Sequence, residues 1–223
     1  LERGARTPPE AADGEGYARM LIVTSPSLAG AFEELASWRT ASGLYTEVAT
    51  TDTIYGYPGC DNAERIRNFV IDYRTENGLD YLMLGGDTVA VPCRFAFPMS
   101  YGTGGGRDDN MPCDLYYSDL DGSWNADGDD TWGEVADDVD LAPDVAVGRA
   151  PVESPSEASD FVDKIIAYEE ASSYGHLERG LFVAQIMTPD PYTPGAVSKD
   201  YLDEMYMPDG WIMTKLYESA GTY

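Results

Sequence analysis

The strongest constraint on this chain is an alternation near its start: three short apolar segments separated by two stretches of helical period. Arg19 to Thr24 (RMLIVT) is a nearly continuous apolar run, as expected of a strand covered on both faces of a sheet. Leu28, Phe32, Leu35 and Ala36 then recur at helical spacing, with Ser27 placed to cap the helix and Gly43 placed to stop it. Tyr45 to Ala49 reads as a second strand. Asp61 and Glu64 form a capping-box-like start for Ile66, Phe69, Val70 and Tyr73, and Gly78 ends that run. Asp80 to Leu84 (DYLML) is the third strand. Strand, helix, strand, helix, strand at these intervals is the pattern of βαβ crossovers in a parallel sheet, so this part of the chain is α/β.

The pattern lapses from Pro98 to Ala142, where Gly and Asp dominate, and then resumes. Asp144 to Gly148 (DVAVG) reads as a strand. Ser154, Pro155 and Glu157 supply cap, first-turn proline and capping-box acid to a helix striped by Ala158, Phe161, Val162, Ile165 and Ile166. Leu181 to Ile186 is a further buried-type strand, Val197 to Met207 a helix, and Trp211 to Leu216 a final strand. Residues 1–16, rich in Pro, Gly, Ala and Glu, read as a flexible arm or a vector-derived remnant. The expected division is a first α/β subdomain over 17–97 and the front part of a second over 98–223, with the break near 95–100.

Charge narrows the partners. Against 40 Asp and Glu the chain has 14 Lys and Arg, a formal charge of -26, so its field repels nucleic acid and anionic lipid. No apolar run approaches the roughly 20 residues of a membrane-spanning helix. Cys60, Cys93 and Cys113 lack CxxC spacing, and Cys93 and Cys113 flank a Gly-rich loop that could bring them together. Most of the carboxylates serve a solvated acidic surface, so clustering must carry any functional case.

Clustering is greatest in the acidic loop 114–140, DLYYSDLDGSWNADGDDTWGEVADDVD. Carboxylates and amides alternating beside glycines suit calcium, which takes about six to eight hard oxygens in a flexible shell. With Gly128 at position six of a twelve-residue calcium loop, Asn125 and Asp127 fall at three and five and Glu134 at twelve. Ser123 at position one departs from that pattern, and Asp119 or Asp121 could supply the missing charge. The expected ligands are Asp119, Asp121, Asn125, Asp127, Asp129 and Glu134, with Asp137, Asp138 or Asp140 as contributors. Gly85, Gly86 and Asp87 follow the third strand, where open α/β sheets place ligands, and Asp87 reads either as a site residue or as a turn residue. TGGGRDDN at 103–110 lacks the Lys-Ser/Thr of a phosphate loop and reads as flexible surface.

Four stretches in order, YLMLGGD at 81–87, DLYYSDLDG at 114–122, DVAVGRAPV at 144–152 and FVDKIIAYE at 161–169, resemble the gingipain-type cysteine peptidases. The resemblance implies a caspase-like α/β fold: parallel-rich sheets flanked by helices in two side-by-side subdomains, the second incomplete here. It also implies an extracellular setting, stabilising calcium ions, and peptide cleavage by a Cys/His pair. In that family both members of the pair lie downstream of the region matched. His176, in SYGHLERG, lacks the expected glycine behind it, and no cysteine stands in the nucleophile setting. The reading is therefore the N-terminal portion of a secreted, calcium-stabilised gingipain-like cysteine endopeptidase, inactive alone. Its partners would be the missing C-terminal part and, in the intact enzyme, a peptide or protein substrate. The alternatives are a calcium-dependent binding or adhesion module and a catalytically dead peptidase homologue.

Overall fold

The computed structural model describes residues 18–97, 111–129, 131–139, 141–171, 175 and 177–221. The expected arm at 1–16, the TGGGRDDN segment, Asp140 and His176 lie outside them. In chain order the first unit holds β1 (Arg19–Thr24), α1 (Ala29–Ala41), β2 (Tyr45–Thr50), α2 (Thr51–Ile54), α3 (Asn62–Asn77), β3 (Tyr81–Gly85), β4 (Arg94–Ala96), β5 (Met111–Cys113), β6 (Ala146–Ala150) and α4 (Pro155–Glu169).

Strand β1 is apolar on both sides because both sides are covered. It lies inside a four-stranded sheet of order β2-β1-β3-β6, parallel throughout. Met20 and Ile22 face one core, with Phe32 and Leu35 of α1 and Val162 and Ile166 of α4. Leu21 and Val23 face the other, with Ile66 and Val70 of α3 and with Tyr116, Tyr117, Leu120 and Trp124 from the acidic segment. That segment therefore covers sheet surface that a crossover helix would otherwise cover. Fully burying each such side chain contributes about 1.5–3 kcal/mol.

The caps of α3 and α4 are those the sequence implies. Asp61 Oδ1 accepts from the Glu64 N–H at 2.9 Å while Glu64 reaches back to the Cys60 N–H at 2.5 Å. Ser154 Oγ accepts from the Glu157 N–H at 3.3 Å, and Glu157 returns the bond to the Ser154 N–H at 3.2 Å. Ser27 does not cap α1. Buried Leu28 holds the N-cap position without a side-chain cap, and Ser27 Oγ sits 3.0 Å from Ser25 Oγ instead. Seating Leu28 in the core displaces the helix start by one residue from the serine.

Compactness divides the chain between Tyr168 and Glu169, not near 95–100. The physical reason is β6: although it follows the acidic segment, it pairs with β3 from Tyr81↔Ala146 to Gly85↔Ala150, so the first sheet continues past the expected break. Strands β4 and β5 form a short antiparallel ribbon in which Cys113 is in register with Arg94, not Cys93, and all three cysteines are free. The second unit, from Glu169, contains β7 (Arg179–Ala184), β8 (Ile186–Pro189), β9 (Tyr192–Pro194), α5 (Ala196–Tyr206) and β10 (Ile212–Tyr217), with β7 and β10 paired in parallel and β8 with β9 antiparallel. No helix among the described residues is long and apolar enough to cross a membrane.

Candidate metal centre

The acidic segment is anchored before it can bind anything. Two arginines do the anchoring. Arg67, on α3, donates through Nε to the Tyr116 carbonyl at 3.0 Å and through Nη2 to the carbonyls of Asp119 at 2.8 Å and Gly122 at 2.9 Å. Arg94, on β4, pairs with both oxygens of Asp61 at 2.6 and 3.0 Å and lies over the Trp132 ring at 3.6 Å and the Tyr116 ring at 4.6 Å. Burial raises the cost of charging Asp61, but the bonds from Arg94 and from the Glu64 N–H outweigh it and hold the carboxyl below the ordinary range. Trp124 packs edge-on to Tyr116 and donates its indole N–H to Asp119 Oδ2 at 2.9 Å.

Asp137, expected as a contributing ligand, has a different task. Its side chain is buried, with Oδ1 accepting from the Ala126 N–H at 2.6 Å and Oδ2 from the N–H groups of Gly133 at 2.8 Å and Glu134 at 3.1 Å. Glu134 closes a reciprocal capping box around the 3₁₀ turn Val135–Asp137. The Asp137 carboxylate thus clamps the loop across eleven residues of sequence, from Ala126 to Asp137. Asp138 follows in the left-handed region at φ 53 and joins neither carboxylate group described next.

Among the described residues two groups of carboxylates form, each able to bring three oxygens within 4.8 Å of one another. One is Asp119, Asp121 and Asp144; the other is Asp127, Asp129 and Glu134. Asp119 and Asp121 thus group with Asp144, which is outside the expected set, and not with the carboxylates of the downstream loop. Asp144 is already engaged: Oδ2 accepts from the Leu120 N–H at 2.8 Å and Oδ1 lies 3.1 Å from Arg74 Nη2. The second group fits a hard cation better. Its donors are all oxygen, and ligand oxygens at about 2.3–2.6 Å from a cation stand at most about 5 Å apart. Asp127 and Asp129 each spend Oδ1 on the backbone, at Asp129 N–H and Thr131 N–H, which fixes the loop around them. Gly128 takes φ +74, the tight turn that position six of a calcium loop requires. Asn125, expected as a ligand, has its Oδ1 buried with no hydrogen-bond partner.

The model of peptidase family C25 matches residues 14–223. The chain belongs to that family. Lys-gingipain of Porphyromonas gingivalis is 27% identical over 174 residues, covering 74% of this chain and 8% of that protein. Among solved structures, the Arg-specific cysteine proteinase gingipain R superposes with a TM-score of 0.63 at 21% identity, over 95% of this chain and 43% of that one. A structure described as a protease superposes with a TM-score of 0.66 at 21% identity, over 92% and 41%. The fold is thus the caspase-like α/β fold of the gingipains, and the chain spans less than a tenth of the curated relatives' length.

For a C25 chain the thiols are the groups to inspect. Cys60 is exposed, but its hydrogen bond to Glu64, with lesser contributions from burial and the charge of Asp61, raises its pKa. Burial raises the Cys93 thiol, and the Asp114 charge adds to it. Neither environment favours a nucleophilic thiolate. Asp87 takes the turn role, its Oδ1 accepting from the N–H groups of Val89 and Ala90, both at 3.0 Å. Arg149 fixes that turn, donating through Nη1 to the carbonyls of Gly86 at 2.9 Å and Val91 at 2.7 Å while it grips Asp114.

Proposed function

We propose that this chain is the front portion of the catalytic region of an extracellular gingipain-like cysteine endopeptidase. In this reading it is stabilised by calcium at Asp127, Asp129 and Glu134 and does not hydrolyse peptides by itself. Membership of family C25 carries the peptidase reading, and the all-oxygen carboxylate group around Gly128 supports the calcium. The raised thiols of Cys60 and Cys93 support inactivity of the isolated chain, since a cysteine peptidase needs a thiolate held by a base.

The test is a pair of assays. An ion that binds only the folded form stabilises it by about 2.7 kcal/mol at a hundredfold excess over Kd, a rise of roughly 5–10 °C in Tm for a domain of this size. Calcium should give that rise over chelator. Magnesium should give less, because it sheds water reluctantly. Equal stabilisation by sodium chloride at matched ionic strength would show that screening alone acts. Peptide reporters ending in Arg, Lys or Asp should remain uncleaved. Turnover abolished by substituting a single cysteine or His176 would overturn the claim of inactivity.

A further inference from the structure

In the second unit α5 is set with its polar side inward. Ala196 is its one buried residue. Lys215 Nζ on β10 holds Asp200 at 2.8 Å and Asp203 at 2.7 Å, and the Tyr217 hydroxyl donates to Asp200 at 3.1 Å. Turning the helix to bury its other side would break all three contacts. That other side is apolar. Val197, Tyr201 and Met205 recur at four-residue intervals with Leu202 and Tyr206 beside them, and Val197, Met205 and Tyr206 are 65%, 60% and 67% exposed. The rings of Tyr201 and Tyr206 meet edge-on with centroids 5.9 Å apart, which joins the two rows into one patch. A surface helix ordinarily shows the reverse, its apolar stripe turned to the core. At about 200 Å² for a large side chain, these five expose roughly 500 Å², the size at which a patch on a monomer is often a binding site.

Layering of the fold does not cover this patch. The bare face of the β7–β10 pair, where Leu181 and Val183 are exposed, lies on the side away from α5, and an α/β layering places its further helix there. The far side of α5 is the outside of that layering. Charge then selects the occupant. From Glu169 on the chain has nine acidic and three basic residues, and Glu204 and Asp209 are exposed toward the helix C-terminus. A second copy would bring the same charge, and the patch falls short of the roughly 800 Å² per partner of a stable dimer. We propose that the outer face of α5 docks an amphipathic helix of another protein, one whose apolar stripe is edged by lysine or arginine. Met205, Tyr201 and Tyr206 are the anchors, of the residue types that interface cores favour, and the acidic surroundings steer the partner's cations.

The experiment titrates the whole chain, by calorimetry, with a peptide of leucine and lysine at helical period, with its scrambled isomer and with a leucine–glutamate analogue. The amphipathic lysine peptide should bind saturably at one site, at least tenfold tighter than either control. Tyr201→Ser combined with Met205→Ser, neutral changes at exposed positions that leave the Lys215 contacts in place, should keep the parent melt and lose at least tenfold in affinity. Val197→Ser, at the other end of the stripe, should lose part of that, and Val89→Ser, exposed on the first unit, should bind as the parent does. Equal binding of the scrambled isomer would show attraction to net charge alone and overturn the proposal, as would unchanged affinity in both stripe variants. Sedimentation showing a dimer that the double variant loses would assign the face to a second copy. Binding to phosphatidylcholine vesicles that the same variant loses would assign it to lipid, and either result overturns the proposal.

Discussion

Replacing Asp137 by alanine tests whether the acidic loop is held by its own carboxylate. The substitution removes the acceptor for three backbone N–H groups, those of Ala126, Gly133 and Glu134 at 2.6, 2.8 and 3.1 Å. Hydrogen bonds to a charged acceptor contribute about 1.5–3 kcal/mol each, less where water can replace the acceptor. Taking about 1 kcal/mol for each of these partly exposed donors gives a loss of about 3 kcal/mol. For a chain of this size that is roughly 6–12 °C in Tm. The measurement is a thermal melt followed by tryptophan fluorescence, because Trp124 and Trp132 both lie within the clamped segment. Asp137→Asn, which retains one carbonyl acceptor, should lose less than half as much and should keep the calcium-induced rise, since Asp137 lies outside both candidate ligand groups. If Asp137→Ala melts within about 1 °C of the parent, the three contacts do not hold the loop and the reasoning fails.

Gly86→Ala should lower Tm by roughly 4 °C or more, since its φ is +149 and an added Cβ would sit 2.6 Å from Ala90 Cβ. Gly30→Ala, with nothing within 4 Å of the added carbon and a helical site, should melt at or slightly above the parent. Glu64 is held below the ordinary carboxylate range by the Cys60 N–H and thiol. Its stabilising contribution is therefore complete above the unfolded value of about 4.3 and fades as pH falls through the lower folded value. The Tm advantage of the parent over Glu64→Gln should accordingly be full at pH 6 and shrink below about pH 4, and a gap that widens on acidification would contradict it. Iodoacetamide at pH 8 should label exposed Cys60 before buried Cys93, and labelling of Cys60 should accelerate in Glu64→Gln.

The strands and helices of the first sheet were legible because their signals are local: the period of Ile66 and Val70, the reciprocal pair Asp61 and Glu64, the run RMLIVT. The pairing of β6 with β3 was not, because it joins residues 65 apart, Tyr81 with Ala146, and no local pattern states which strand is a neighbour. Three-residue strands such as β4 and β5 are too short to show a period. Within the loop, composition announced a cluster of carboxylates but not their division. A carboxylate aimed at three N–H groups and one aimed at a cation look alike in sequence, which is why Asp137 read as a ligand. Asp144 was read only as the opening of a strand. Its carboxylate joins Asp119 and Asp121 because β6 begins beside them.

Because Tyr116, Tyr117, Leu120 and Trp124 form one wall of the core that Leu21, Val23, Leu82 and Leu84 occupy, the acidic segment is a structural layer and not a surface appendage. A crossover helix holds its own backbone bonds and can form early. This layer is held instead by its own aspartate clamp and by two arginines, whose contacts exist only once α3 and the ribbon are in place. Its closure from β3 to β6 is a long-range event, of the kind that slows folding. Amide exchange in β3 should then follow the opening of this segment, making the acidic layer the gate through which protease and solvent reach one face of the sheet.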